Sequence, residues 1–304
     1  MIYRSVFRTS VIASFRDSHI KKSVDLKIQE PDQNLESIPN TQELCISLHF
    51  AKLSILLRYF IQFSYFGKAY HGWQKQPNAI TVQEVLEHSL SVLMRKEIHV
   101  VGAGRTDAGV HAREMYAHFD FTQIKDTTDL VYRLNAFLPD DIAVQDIYLM
   151  QDNAHARFDA MERSYEYLLC DDKNPFLTEA SHYVKHPLDI LLMNNAAELL
   201  LGKQDFECFS KSKTEVNNHF CKIKSAQWSV ESEYIVFKIT ADRFLRNMVR
   251  AIVGTLLDVG TGKSTLDTVK NIIKSKDRTT AGVSVPAKGL YLSAVSYPNT
   301  IFKK

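Results

Sequence analysis

Residues 97–121 read EIHVVGAGRTDAGVHAREMYAHFDF. A Val-rich run ends at Gly102, and a second run, EMYAHFDF, begins at Glu114. Between them Gly102, Gly104 and Gly109 surround Arg105, Asp107 and His111. Two β-type runs bounded by glycines predict a strand, a loop and a strand. Upstream, TVQEVLEHSLSVLMRKE (81–97) reads as a helix. Thr81 caps it, Glu84 three residues on completes a capping box, and Val82, Val85, Leu86, Leu90, Leu93 and Met94 form its apolar stripe. RYFIQFSYF (58–66) precedes it as a strand, with GKAYHGWQKQPN (67–78) as a loop. Downstream come a helix, TDLVYRLNAFL (128–138), and a strand, DIAVQDIYLM (141–150). The order β-α-β-β-α-β is that of a ferredoxin-like unit.

The rest of the chain repeats the theme. RSYEYLLC (163–170) alternates, with Tyr165, Tyr167 and Leu169 on one face. PLDILLMNNAAELLLG (187–202) predicts a helix stopped by Gly202. KIKSAQWSVESEYIVFKITA (222–241) predicts a hairpin, and TLDTVKNIIKSK (265–276) a helix. FLRNMVRAIVGTLLDVGTG (244–262) reads as a helix with a broad apolar face that includes Phe244, Met248, Ile252 and Leu256. GLYLSAVSY (289–297) is a last strand, and KQDFECFSKSKTEVNNHF (203–220) reads as a loop. The expected class is α+β: two halves around one sheet, with a waist near residues 150–160.

The 304 residues are 45% hydrophobic and 24% charged, ordinary values for a globular chain. Net charge is +2, so a polyanion site has to come from local clustering of cations. Cys45, Cys170, Cys208 and Cys221 are scattered with no CxxC pair, which fits free thiols in a reducing compartment. His219 and Cys221 lie two apart, but no second pair completes a zinc set. No apolar run approaches the roughly 20 residues of a membrane span.

Residues 1–57 stand apart. IQEPDQNLESIPNTQEL has the composition of a linker, and Arg4, Arg8 and Arg16 with Ser5, Ser10 and Ser14 resemble a transit peptide. Patterned sequence begins at Leu57, a residue that an alternative bacterial start codon can encode, and we expect the natural chain to start near it.

The central loop admits two chemical readings. Asp107 among glycines suits a turn, where its side chain bonds its own backbone. Equally, an ionised carboxylate on a loop, with Arg105 two residues away, suits a nucleophile or a general base. His111 is a packing or a working imidazole. Arg243, Arg246 and Arg250 recur at helical spacing and would form one stripe fit for phosphates. HARFDAMERSYEY (155–167) and YHGWQKQ (70–76) interleave cations with aromatics, as unstacked bases and a phosphate backbone require. RNA is therefore the expected partner.

AGRTDAGVHA is similar to the signature of the TruA-type tRNA pseudouridine synthases. FSYFGKAYHGWQKQP, TVQEVLE, LNAFLPDDIAV, HARFDAMERSYEY, FLRNMVRAIVGTLLDVG and GLYLSAVSYP follow in the family's order, spanning about residues 58–298. The resemblance implies a pseudouridine synthase fold: two ferredoxin-like halves sharing a central, mainly antiparallel mixed sheet flanked by helices. It divides the chain into a catalytic half at 58–155 and a C-terminal half at 156–304, after the extension at 1–57. It implies Asp107 as the catalytic aspartate and Tyr165 as the tyrosine stacking on the target uridine. Arg105 would help hold the flipped nucleotide, and Arg250 would pair with the catalytic carboxylate. The implied reaction is isomerisation of uridine at positions 38, 39 and 40 of the tRNA anticodon arm by a cytoplasmic homodimer, without cofactor or metal. A catalytically silent tRNA-binding protein on the same fold is the alternative. A hydrolase using Asp107 lacks an evident metal cluster or triad partner.

Overall fold

The computed structural model describes residues 56–211 and 217–303. The expected extension therefore lies outside the described residues apart from Leu56 and Leu57. The first half runs β1 (Leu57–Tyr65), α1 (Val82–Met94), β2 (Val101–Gly102), β3 (His111–Phe121), α2 (Thr127–Phe137) and β4 (Ile142–Leu149). The second runs β5 (Glu162–Cys170), β6 (His182–Tyr183), α3 (Ile190–Glu198), β7 (Gly202–Asp205), β8 (Phe220–Glu231), β9 (Tyr234–Ala241), α4 (Met248–Gly260), α5 (Leu266–Ser275) and β10 (Leu290–Ser296).

The strands form one mixed sheet in the order β4-β1-β3-β10-β5-β9-β8-β7. β2 is attached to β3 and β6 to β5. Only the β10–β3 and β5–β6 pairs are parallel. Each half has the ferredoxin-like order, β4-β1-β3-β2 in the first and β10-β5-β9-β8 in the second. The class is α+β, as expected. β3 explains how the halves join. Its far end pairs with β2 through His118 and Ala117, and its near end pairs with β10 through His111 and Ala112. The two partners share one edge of β3, so β2 is only two residues long. The chain between them, residues 103–110, leaves the sheet at the junction of the halves.

Local signals account for most boundaries. The Thr81 side chain accepts from the Glu84 amide, and Arg95 ends α1 in the left-handed region at φ 52°. Asp126 and Asp189 cap α2 and α3 in the same way. Two expectations need correction. The helix expected over 244–262 starts only at Met248, because Asn247 has φ 66° and breaks the helical path. Gly202 does not stop α3, which ends at Glu198; it opens β7 at φ 90°. β7 and a short 3-10 turn at Glu207–Phe209 occupy part of the stretch expected to be loop.

Two large apolar cores and a small cluster of Leu168, Val236 and Tyr291 lie along the sheet. One gathers Phe60, Phe63, Trp73, Leu86, Phe119 and Leu134, the other Tyr167, Phe206, Phe209, Trp228, Phe237 and Ile252. Trp73, Tyr70 and Tyr167 are buried core residues and present no stacking face to a ligand. Among the described residues no helix is long and apolar enough to cross a membrane.

Candidate active site

The 103–110 loop is held from three sides. The Thr106 carbonyl accepts from the Trp73 amide (3.3 Å), and the Gly109 amide donates to the Tyr70 carbonyl (3.2 Å). Gly72, at φ 89°, makes that approach possible: a Cβ there would stand 2.4 Å from the Thr106 carbonyl oxygen. Buried polar groups of α1 hold the 67–78 loop in turn, Gln83 accepting from the Lys75 amide (2.9 Å). Beneath, the hydroxyls of Tyr65 and Thr106 share a hydrogen bond of 2.8 Å. The glycines of the loop do less than their number implied. Gly109 supplies a positive φ of 76° and Gly102 leaves space for the Trp73 ring, whereas Gly104 has open space around it.

His111, undecided in the sequence, is a strut. Its ring is sandwiched between Phe66 (4.1 Å between centroids) and Tyr291 (4.6 Å). Nδ1 accepts from the Gly67 amide (2.8 Å), so Nε2 carries the proton and donates to the Lys288 carbonyl (3.1 Å). Burial lowers its pKa. Both nitrogens are engaged in joining β3, the 67–69 turn and the approach to β10.

Asp107 turns upward into a cleft of about 1670 Å³. Its Oδ2 lies 3.4 Å from a terminal guanidinium nitrogen of Arg250, and its Oδ1 lies 3.8 Å from Nε of Arg246. Arg250 is anchored: its Nε donates to the Val285 carbonyl at 2.7 Å. Arg246 is the more exposed, at 58% of its side chain. It stands, with Arg243, on the irregular segment before α4, whereas Arg250 lies in the first turn of α4, so the expected helical stripe of arginines is instead split between a loop and a helix. Arg105 also lines the cleft but is exposed, and among the described residues it has no ion pair with Asp107. Of the two cations considered for the carboxylate, the sequence neighbour Arg105 makes no ion pair with it and Arg250, 143 positions away, does.

Tyr165 forms part of the cleft wall, its ring edge-on to Phe244 at 5.1 Å. Burial, with the Asp107 charge adding to it, pushes its hydroxyl up to about 12, so it is a neutral donor and acceptor at physiological pH. Arg163 fastens the walls together. It donates to the carbonyls of Ala103 (3.0 Å), Arg157 (2.6 Å), Ala160 (2.8 Å) and Asp242 (3.0 Å). Seven arginines (105, 157, 163, 243, 246, 250 and 278) line the cleft against Asp107 and Asp242. A chain of net charge +2 thus carries a strongly cationic groove. Phe158, 75% exposed, stands at the cleft with Arg157 beside its ring.

Sequence reasoning missed Arg246 as a neighbour of Asp107, the Tyr65–Thr106 bond and the clamp role of Arg163. These are partnerships between separate strands and loops or with backbone carbonyls, and no periodicity reports them. As to metals, Asp205, Glu207 and His219 bring ligand atoms within 4.8 Å of one another. Asp205 already accepts from Lys276 at 2.8 Å. His219 pairs with Glu207 (3.7 Å), not with Cys221 in a ligand set. Cys170, Cys208 and Cys221 are free thiols, all buried.

Residues 61–159 and 196–298 match a family model described as tRNA pseudouridine synthase. A Parabacteroides distasonis protein named tRNA pseudouridine synthase A is 50% identical over 246 residues, covering 81% of this chain and 98% of that protein. A protein of the same name from Azobacteroides pseudotrichonymphae is 48% identical over 246 residues, with 81% and 99% covered. One from Francisella tularensis is 38% identical over 248 residues, with 81% and 96% covered. The matched segments include the Asp107 loop, Arg246 and Arg250, and on this evidence the chain belongs to the tRNA pseudouridine synthase family.

Proposed function

We propose that this chain isomerises uridine to pseudouridine in tRNA, at positions 38, 39 and 40 of the anticodon stem-loop, with Asp107 as the reagent. The observation that carries the reading is the carboxylate at the floor of a cationic cleft, opposite an anchored guanidinium. The uridine must leave its stack to reach that floor. The C1′–N1 bond then breaks, the uracil turns, a C1′–C5 bond forms, the proton on C5 is lost to solvent, and the freed N1 takes up a proton, so that the product is an isomer of the substrate. Asp107 starts this by attacking the ribose, by attacking C6 of the uracil, or by taking a sugar proton. Arg250 holds the carboxylate in place. Tyr165 offers a ring for the base to stack on and a neutral hydroxyl for proton transfer. Exposed Arg105 reaches the nucleotide and its phosphates. In this reading the halves at 58–155 and 156–304 each supply part of the site, and the enzyme works as a cytoplasmic homodimer.

Tritium at C5 of uridine in an unmodified tRNA tests it. The wild type is expected to release tritium, and Asp107→Asn to bind the same tRNA without releasing it. Binding with no release by the wild type would make the chain a silent tRNA binder. Release by Asp107→Asn at the wild-type rate would remove Asp107 from the chemistry.

A further inference from the structure

Phe158 has no part in the chemistry above, yet its side chain stands 75% exposed on the wall of the cleft that holds Asp107. Among the described residues, no other large apolar side chain lining that cleft is comparably exposed. A single exposed ring needs no explanation by itself. This one is presented on a turn whose backbone is fixed.

The turn is pinned at each amide. Ala156 donates to His118 Nδ1 (3.1 Å), Arg157 and Phe158 both donate to His155 Nδ1 (3.1 and 3.3 Å), and Asp159 donates to the His155 carbonyl (3.0 Å). The Asp159 carboxylate accepts from the His155 amide in return (2.7 Å). With two amides on its Nδ1, the His155 imidazole is held in one orientation. It lies against Phe158 at 4.2 Å between ring centroids and 31° between planes. One face of the phenyl ring is thus backed, and the rest is open to the cleft. The Arg157 guanidinium stands 5.8 Å from the ring centre, too far to cover it.

Arg163 joins this turn to the Asp107 loop. One of its terminal nitrogens donates both to the Arg157 carbonyl (2.6 Å) and to the Ala103 carbonyl (3.0 Å). Next to Ala103 comes Gly104, with open space around it. The open ring and the reacting carboxylate therefore sit on segments fastened to each other through one side chain.

We propose that Phe158 is the platform on which the base next to the target uridine stacks while that uridine is at Asp107. The proposal rests on the isomerase reading above. Taking a uridine out of its stack leaves each neighbouring base with one bare face. A flat ring on the cleft wall restores one of those stacks. Because its other face is backed by His155, the ring caps a single base; it cannot slip between two bases as a wedge does. Arg157, beside it in the chain, supplies a cation for the phosphate of the same nucleotide. Stacking on an aromatic ring tolerates any base, since every base has a π-face. That suits an enzyme whose three proposed target positions have different neighbours.

Equilibrium binding of unmodified tRNA to the full chain tests the platform, with tritium release followed on the same samples. Phe158→Ala and Phe158→Leu are each expected to weaken binding by about 10-fold or more, as loss of one base–aromatic stack does. Phe158→Tyr and Phe158→Trp keep a flat ring and are expected to bind within about 3-fold of the wild type. In the Ala and Leu variants KM should rise by the same factor as Kd, and kcat should fall less. Trp73 and Trp228 are buried, so in Phe158→Trp the introduced indole is the exposed one. Its emission is expected to be quenched when tRNA binds. A tRNA with one target uridine and an abasic nucleotide on its 5′ or its 3′ side identifies the stacked base. On one of these two the wild type is expected to bind no better than Phe158→Ala. Phe158→Ala binding intact tRNA as tightly as the wild type would overturn the platform. So would a difference between the two proteins that persists on both abasic tRNAs. Tritium release by the wild type would in either case leave the isomerase reading standing. Binding without release by the wild type would remove the isomerase reading, and the affinities and the quenching would still decide whether Phe158 stacks on a base.

Discussion

Two arginine–aspartate pairs in this molecule make opposite use of the same chemistry. Arg58 and Asp120 face each other across β1 and β3. Their groups meet as a fork, Nε to Oδ1 and a terminal nitrogen to Oδ2, both at 2.7 Å. The Arg58 guanidinium bonds to Asp120 and holds its carboxyl below the usual range. Arg250 and Asp107 meet through one contact of 3.4 Å, and Arg250 gives its Nε to a backbone carbonyl instead. In the closed pair both carboxylate oxygens are already bonded to the guanidinium, whose third nitrogen is held by the Ala154 carbonyl. The open pair orients a carboxylate and leaves its lone pairs facing the cleft. The two pairs thus differ in how much of the carboxylate is committed to its partner, and the proposed reagent is the one less committed.

The comparison breaks most visibly at the aspartates. Asp107→Asn is expected to lower turnover by at least about 1,000-fold, in the range for removing a group that reacts or transfers a proton. Its melting temperature should stay near that of the wild type. Asp120→Asn should do the converse: tritium release per folded molecule close to wild type, and stability lower by about 1 kcal/mol for a half-exposed ion pair, or about 2–4 °C in Tm. Equal loss of activity in the two variants would mean that the geometry of pairing carries no functional information.

A smaller effect is expected at Arg250. Arg250→Lys loses the fork that spans Val285 and Asp107 together, because an ammonium is a point charge without that planar reach. We expect kcat to fall by about 10–100-fold with little change in KM, as when one fixed electrostatic partner is lost. A rise in KM alone would place Arg250 among the general phosphate contacts. Tyr165→Phe is expected to slow single-turnover release by about 10-fold or more while tRNA affinity changes less, which is the signature of a lost proton-transfer group. Matched losses of rate and affinity would leave the ring only its stacking face.

How much of this was legible beforehand follows from the range of each signal. β1, α1, α2, β5, the β8–β9 hairpin, α5 and β10 were visible because period, caps and turns are local. The start of α4 was not. The apolar period runs back through Phe244, but the left-handed Asn247 interrupts it, and Phe244 leaves the helix to meet Tyr165 edge-on. The family resemblance was what favoured Asp107 as a reagent; from its own loop it could be read as a turn residue or as a reagent. Its cations could not, since Arg105 is its neighbour in sequence while Arg246 and Arg250 are its neighbours in space. Tyr70, Trp73 and Tyr167 looked like base-stacking aromatics and are core, because composition cannot tell which side of a strand or loop faces in. Family resemblance supplied Arg250 where residue-by-residue reasoning had only a stripe.

An effect confined to acid pH separates the fastening pair from the histidine beside it. His118 is buried, and its Nδ1 accepts from the Ala156 amide at 3.1 Å. Burial, then the charges of Arg58 and His155, push its pKa down to about 4, with Asp120 and Asp159 acting in the other direction. An unfolded histidine takes its proton near pH 6.5. Between that value and about 4 the unfolded chain therefore binds a proton that the folded chain refuses, and stability falls as the pH falls through this window. The loss reaches on the order of 3 kcal/mol at its lower end. His111, His155 and His182 are lowered as well and add to the same slope. Asp120 behaves otherwise. Its folded pKa lies below the ordinary 3.8, so its contribution is intact above that value and is lost only below it. Urea midpoints measured from pH 7.5 to 3.5 should therefore show a shallower acid slope in His118→Asn, which keeps an acceptor for the Ala156 amide. Asp120→Asn should lower the whole curve and, with its counter-charge to Arg58 gone, leave the slope between 6.5 and 4 at least as steep. An unchanged slope in His118→Asn would mean that His118 takes its proton in the folded chain as readily as in the unfolded one, burial and the charge of Arg58 notwithstanding.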